Sequence, residues 1–275
     1  MCARRCTTTG GTTAFDSVGG VNGTLVGGVA FTTTGGIAGG AIQITDGYVD
    51  MGNNFASTAT FSLQAWAKLN LGDTSGLVPV GKHWGGIPKG YFLAINDIGD
   101  GYTHANAEGF YSADGLYQTA VGGPPVNDGS WHQLVGVYNN GVTSIYVDGS
   151  LAGSGAAGYA NNGAHFMVGG LFNEEGKPIN FYRGLIDEVK VFDNALSGAD
   201  VRALYDSTLN SVPIPGSVWL FGSGIAGLGG LAGARFKRKN VSHPAWPAAG
   251  GCPQGDLPGP NHQWRNRLRC FARGS

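Results

Sequence analysis

The fold is decided by the stretch Trp131-His132-Gln133-Leu134-Val135-Gly136-Val137-Tyr138, Asn139-Asn140-Gly141, Val142-Thr143-Ser144-Ile145-Tyr146-Val147. Two alternating apolar runs flank Asn140-Gly141, a dipeptide suited to the left-handed backbone of a two-residue hairpin. Asp148-Gly149 repeats the signal at once, so a third strand should follow.

Outward from this hairpin the chain keeps the same grammar of short β-like runs between Gly, Asn and Asp. Upstream lie Thr24–Phe31, Ala41–Ile44, Tyr48–Met51, Leu77–Lys82, Tyr91–Asn96, Glu108–Tyr111 and Leu116–Val121. Phe61–Leu69 alternates, with Phe61, Leu63, Ala65, Ala67 and Leu69 on one face, as a half-buried strand does. Trp66 falls on the other face, a core ring if that face is covered and a surface ring otherwise. Downstream come His165–Gly169 and Tyr182–Phe192. One helix is expected, over Ser197–Tyr205, with Ser197 and Asp200 as a capping-box-like pair and Val201, Leu204 and Tyr205 facing inward. The expectation is an all-β, antiparallel two-sheet jelly-roll sandwich over residues 12–206 with a short terminal helix.

Composition agrees. Fifty glycines in 275 residues without a three-residue period, and only 12 prolines, exclude collagen. A hydrophobic share of 42% is enough for a core. The net charge of −1 conceals a split: residues 1–210 carry 9 Lys and Arg against 17 Asp and Glu, residues 211–275 carry 8 against 1. The acidic body lacks the basic stripe that phosphate neutralisation needs, which excludes nucleic acid as its partner.

The ends read differently. Residues 1–11 are expected to be unstructured, and no apolar run after Arg4 and Arg5 suggests a secretory signal peptide. Cys2, Cys6, Cys252 and Cys270 all lie outside 7–251, so the sandwich uses neither a disulfide nor a thiolate metal site. Residues 216–234 contain no charge and precede Arg235, Lys237, Arg238 and Lys239. That pattern predicts a C-terminal transmembrane helix, in the inner membrane, with its basic end in the cytoplasm, over 216–239. A buried Gly-rich hairpin is the alternative. Residues 207–215 are expected to be a linker, and 240–275, rich in Pro and Arg, a disordered tail.

Taken in order, FSLQAWAKL, DGSWHQLVGVY, TSIYVDGSLAG and FYRGLIDEVKVFDNALSGADVRALYD resemble laminin-G-like, concanavalin A-like jelly-roll modules from about Asp16 to Asp206. Carried onto this chain, the resemblance implies a structural Ca2+ held by Asp187 and by Asp16 with Asn22. Read from the residues alone, Asp187 is equally a carboxylate accepting backbone N–H groups, and Asp16 and Asn22 are turn residues. A second resemblance starts at Val212: Pro213-Ile214-Pro215, the apolar segment and the basic cluster are similar to a PEP-CTERM sorting signal, with isoleucine where that family has glutamate. It implies an exosortase-type membrane peptidase as partner, and transfer to the cell surface or extracellular matrix of a Gram-negative bacterium.

Catalysis is not expected. Glycoside hydrolysis needs two facing carboxylates, yet the four glutamates (Glu108, Glu174, Glu175, Glu188) form no same-face set on a strand, and Asp187 and Glu188, as neighbours, should face opposite ways. His132 reads as a packed, hydrogen-bonded histidine. For glycan binding the candidates are Trp84, Tyr102, Tyr111 and Tyr117, rings in or beside Gly-rich loops. The functional expectation is therefore a non-catalytic, extracytoplasmic glycan- or protein-binding module. A domain of a carbohydrate-active enzyme and a purely structural exopolysaccharide-matrix protein are the alternatives.

Overall fold

A computed structural model describes residues 11–57, 59–70, 77–84, 89–95, 108–114, 117–173, 175–210 and 268–270, without the side chains of 84, 108–109, 113–114, 117–121 and 268–270. In chain order the elements are β1 (Thr13–Ala14), β2 (Gly23–Phe31), β3 (Ile42–Asp50), β4 (Thr60–Leu69), β5 (Leu77–Trp84), β6 (Lys89–Ile95), β7 (Glu108–Asp114), β8 (Tyr117–Gly122), β9 (His132–Asn139), β10 (Val142–Val147), β11 (Ser150–Ala156), β12 (Met167–Val168), β13 (Leu171–Phe172), β14 (Pro178–Ile179), β15 (Gly184–Phe192), α1 (Gly198–Asn210) and β16 (Leu268–Cys270).

The diagnostic hairpin forms as expected: Asn139 opposes Val142, and Asn140 and Gly141 take φ of 45° and 93°. Both central residues are left-handed, as the primed hairpin turns require. The main strand path runs β11-β10-β9-β4-β15-β3-β12-β5-β6-β7-β8, antiparallel between all neighbours. Strand β3 carries the path around the bend. Its start, Ile42–Ile44, pairs with β15, while Val49 and Asp50 pair with β12. The curled sheet so encloses a core in which Phe61 meets the rings of Tyr91, Phe110, Tyr138 and Tyr159 at centroid distances of 4.6–6.1 Å. Gly136 is glycine for space: a Cβ there would sit 2.2 Å from the Phe110 ring.

All five residues assigned to one face of β4 are in the core. The other face is not exposed, because α1 covers it. Trp66, 1% exposed, stacks on Tyr205 with centroids 5.5 Å apart and planes 11° apart. Trp66 is thus core, and β4 is buried on both faces rather than one. The capping pair also forms, since Asp200 Oδ2 accepts from Ser197 N and Oγ while Asp200 N donates to Ser197 Oγ. Val201 seats the helix on Val135 and Val137, a burial worth about 1.5–3 kcal/mol. Two boundaries differ from expectation. Helix α1 continues past Asp206 to Asn210, with Thr208 buried and bonded to Leu204 O, so the linker begins later. Leu268–Cys270, expected in a structureless tail, pairs with Lys190–Phe192, the part of β15 beyond its pairing with β3.

Candidate functional site

The bend at β3 and β12 exposes a set of side chains with binding chemistry. Alternation sends Val49 and Met51 into the core, and Phe166 and Val168 likewise. Tyr48, Asp50, His165 and Met167 therefore point outward, with Met167 directly opposite Asp50. Met167 is fully buried and, with Phe181, closes against Gly170 to make a floor. Beside it four partly exposed rings form a chain of contacts, the ring line. Phe181 stacks on Tyr48 (6.4 Å, 24°), Tyr48 meets Phe172 edge-on (5.8 Å, 79°), and Phe172 meets the His165 imidazole edge-on (5.7 Å, 88°).

The line ends in a polar pair. His165 Nδ1 lies 2.9 Å and 3.0 Å from the two Asp50 oxygens, and Gly52 N donates to Asp50 Oδ1 at 2.8 Å. The side chains are 45% and 26% exposed, so both remain open to solvent. Burial, and then the Asp50 carboxylate, raise the Tyr48 phenol above its ordinary value, so it stays protonated at neutral pH. An apolar ring surface next to a few oriented polar groups is the usual make-up of a small-ligand or glycan site.

Other polar side chains serve structure. Lys82 is fully buried, and its Nζ donates to Asn53 Oδ1 (2.6 Å) and to Ala164 O. Burial pushes this amine down to about 8. His132 is the packed, hydrogen-bonded residue expected: Nδ1 lies 2.8 Å from Asp148 Oδ2 and Nε2 lies 3.1 Å from Asp128 Oδ1. The Asp148 bond, the larger cause, raises its pKa. Among the glutamates, Glu175 pairs with Lys177 and Glu188 with Lys190.

The residues put forward for calcium are held by N–H groups. Asp16 Oδ1 accepts from Val18 N and Gly19 N, its Oδ2 accepts from Val21 N, and Asn22 Oδ1 accepts from Asp16 N. These two meet in one turn. Asp187 is engaged with a different loop: Oδ2 accepts from Ala38 N and Oδ1 from Glu188 N. Each of these oxygens accepts N–H groups, and among the described residues no group of three or more His, Cys, Asp or Glu could hold a metal ion. Asp187 and Glu188 do not face opposite ways, because a bulge intervenes. Asp187 pairs with Trp66 and Lys190 with Gln64, so β15 carries one extra residue and Glu188 takes φ +50°. Ile186, Val189 and Val191 all lie in the core, which leaves both acids on the outer side.

Of the candidate glycan rings, Tyr111 is corrected outright: it is 3% exposed and stacks flat on Phe92 at 4.4 Å, because the outer face of β6 and β7 is itself covered. The backbone of Trp84 lies beside Phe172 and that of Tyr117 beside Ala113, but their side chains lie outside the described residues. So do Tyr102 and the sorting-motif residues Val212, Pro213, Pro215, Arg235, Lys237, Arg238 and Lys239. Among the described residues no helix is long and apolar enough to cross a membrane. Sequence reading missed the Tyr48 line, although Tyr48 and Asp50 alternating with Val49 and Met51 signalled an outward ring and carboxylate. Phe172 and Phe181 lay in segments with no period to read.

The curled antiparallel sandwich, with α1 as its one helix among the described residues, is a concanavalin A-like fold. The chain belongs to the Laminin_G_3 family, described as the concanavalin A-like lectin/glucanases superfamily, which matches residues 38–202. Among solved structures it is similar to domain 4 of AbnA, a GH43 extracellular arabinanase from Geobacillus stearothermophilus, solved in complex with arabinotriose. The identity is 19% and the TM-score 0.52, over 70% of this chain and 99% of that domain. It is also similar to the botulinum neurotoxin serotype D binding domain, at 15% identity and TM-score 0.50, over 68% of this chain and 47% of that one. No curated protein matches the chain.

Proposed function

We propose that this protein is a non-catalytic glycan-binding module, with the Phe181–Tyr48–Phe172–His165 line as its sugar platform and Asp50 as its polar contact. The observation that carries the reading is the chain of partly exposed, mutually touching rings next to a solvent-open carboxylate and imidazole. Such rings take the C–H faces of sugars while the polar groups take hydroxyls. The AbnA domain solved with arabinotriose has the same fold, which supports the reading. The pairing of Glu175 and Glu188 with lysines supports a binding role over a hydrolytic one. Export and processing by an exosortase-type peptidase is part of the proposal and rests on the sequence of residues 212–239 alone. A glycan array probed with the full chain, alongside a hydrolysis screen on the same sugars, tests it: binding without turnover is expected, and turnover or binding to no glycan overturns it.

A further inference from the structure

We infer that the ligand is a neutral, hydroxyl-rich polysaccharide, and that Asp50 makes the site refuse uronate and sulfated chains. The inference rests on the glycan-binding reading and adds the charge class of the sugar.

The polar end of the ring line is built from acceptors. Asp50 Oδ1 is taken by Gly52 N and His165, while Oδ2 meets only His165 among the described residues. A carboxylate offers about four lone-pair positions, so Oδ2 keeps room for a further donor. In the tautomer that directs Nδ1–H at Asp50, the imidazole presents Nε2 as another acceptor. The protonated Tyr48 phenol can accept as well as donate. Sugar hydroxyls are the donors that such a rim takes. A carboxylate or sulfate on the ligand would need a cationic donor and would instead face Asp50.

Two of the described cations near this face are engaged elsewhere, while Arg183, two residues beyond Phe181, is exposed. Lys82 is buried on Asn53 and Ala164, and Lys177 pairs with Glu175 at 2.6 Å. The wider field has the same sign, since residues 1–210 carry 9 basic against 17 acidic side chains. An acidic polymer is therefore repelled both on approach and at contact.

The test measures Kd for the full chain with arabinan, mixed-linkage β-glucan and galactomannan as neutral probes and polygalacturonate as the acidic one, at about 0.02 M salt, where screening is weak. At least one neutral polymer should bind at least tenfold more tightly than polygalacturonate. Asp50→Asn, which keeps the shape and removes the charge, should narrow that gap about tenfold. Raising salt to about 0.5 M should narrow the gap in the unsubstituted protein too, so the inference does not depend on one variant folding. Equal binding of polygalacturonate, or a gap unchanged by both Asp50→Asn and salt, overturns the inference while sparing the glycan reading. Binding to none of the four polymers removes both.

Discussion

Asp50 and His165 are 115 residues apart in the chain, yet both carboxylate oxygens lie within 3.0 Å of one imidazole nitrogen. The contact exists because β12 pairs antiparallel with the end of β3, placing Met167 opposite Asp50 and bringing His165 alongside. It also joins the polar pair to the ring line through the edge-on contact of His165 with Phe172.

The first prediction concerns pH. His132 has a raised pKa, so its protonation favours the fold: that contribution is complete below 6.5 and is lost as pH rises through the higher folded value. His83 has the opposite sign. Burial lowers it to about 4, so its contribution is complete above 6.5 and is lost as pH falls through about 4. Urea midpoints across pH 4–9 should decline at both ends, with His132→Gln flattening the upper decline and His83→Phe the lower. Profiles unaltered by either substitution would contradict the assignment.

Lys82 gives a separate alkaline signature. Its pKa falls from 10.5 to about 8 on folding, so the native chain releases its proton first and stability gains with pH between those values. Lys82→Met should abolish the gain. It should also destabilise the protein near neutral pH by about 1–3 kcal/mol, because Asn53 Oδ1 and Ala164 O lose their donor. A Lys82→Met protein as stable as its parent at pH 7.5 and still gaining above pH 8 would refute this.

Calcium is addressed by chelation. With Asp16 and Asp187 serving N–H groups, adding a chelator should leave the melting temperature unchanged. Asp187→Ala should still cost about 1–3 kcal/mol, because the N–H groups of Ala38 and Glu188 lose their acceptor. A Tm that falls with chelator, and no longer falls in Asp187→Ala, would restore the ion.

Much of this fold could be read from local chemistry. Asn140-Gly141 fixed the hairpin, and the alternation of Phe61 through Leu69 fixed the inner face of β4. Three features could not be read, for physical reasons. The outer face of β4 is buried by α1, and the Trp66–Tyr205 contact spans more than a hundred residues. The bulge at Glu188 slips the alternation by one, which no local period in Gly184–Phe192 reveals. The ring line gathers Tyr48, Phe172, Phe181 and His165 from separate segments, so only the bend of the sheet brings them together.

The central claim is that the Tyr48 line is the glycan surface. Tyr48 stands in the middle of the line and touches both Phe172 and Phe181. Losing one such ring contact is worth about 0.5–1.5 kcal/mol beyond the area it buries, which corresponds to roughly a tenfold change in affinity. The decisive measurement is the Kd of the full chain and of Tyr48→Ala for the best polymer found in the array, with the melting temperature of each recorded. We predict a Kd about tenfold higher for Tyr48→Ala, with a melting temperature within a few degrees of the parent. A glycan Kd equal to the parent's in a folded Tyr48→Ala protein would show that sugars bind elsewhere.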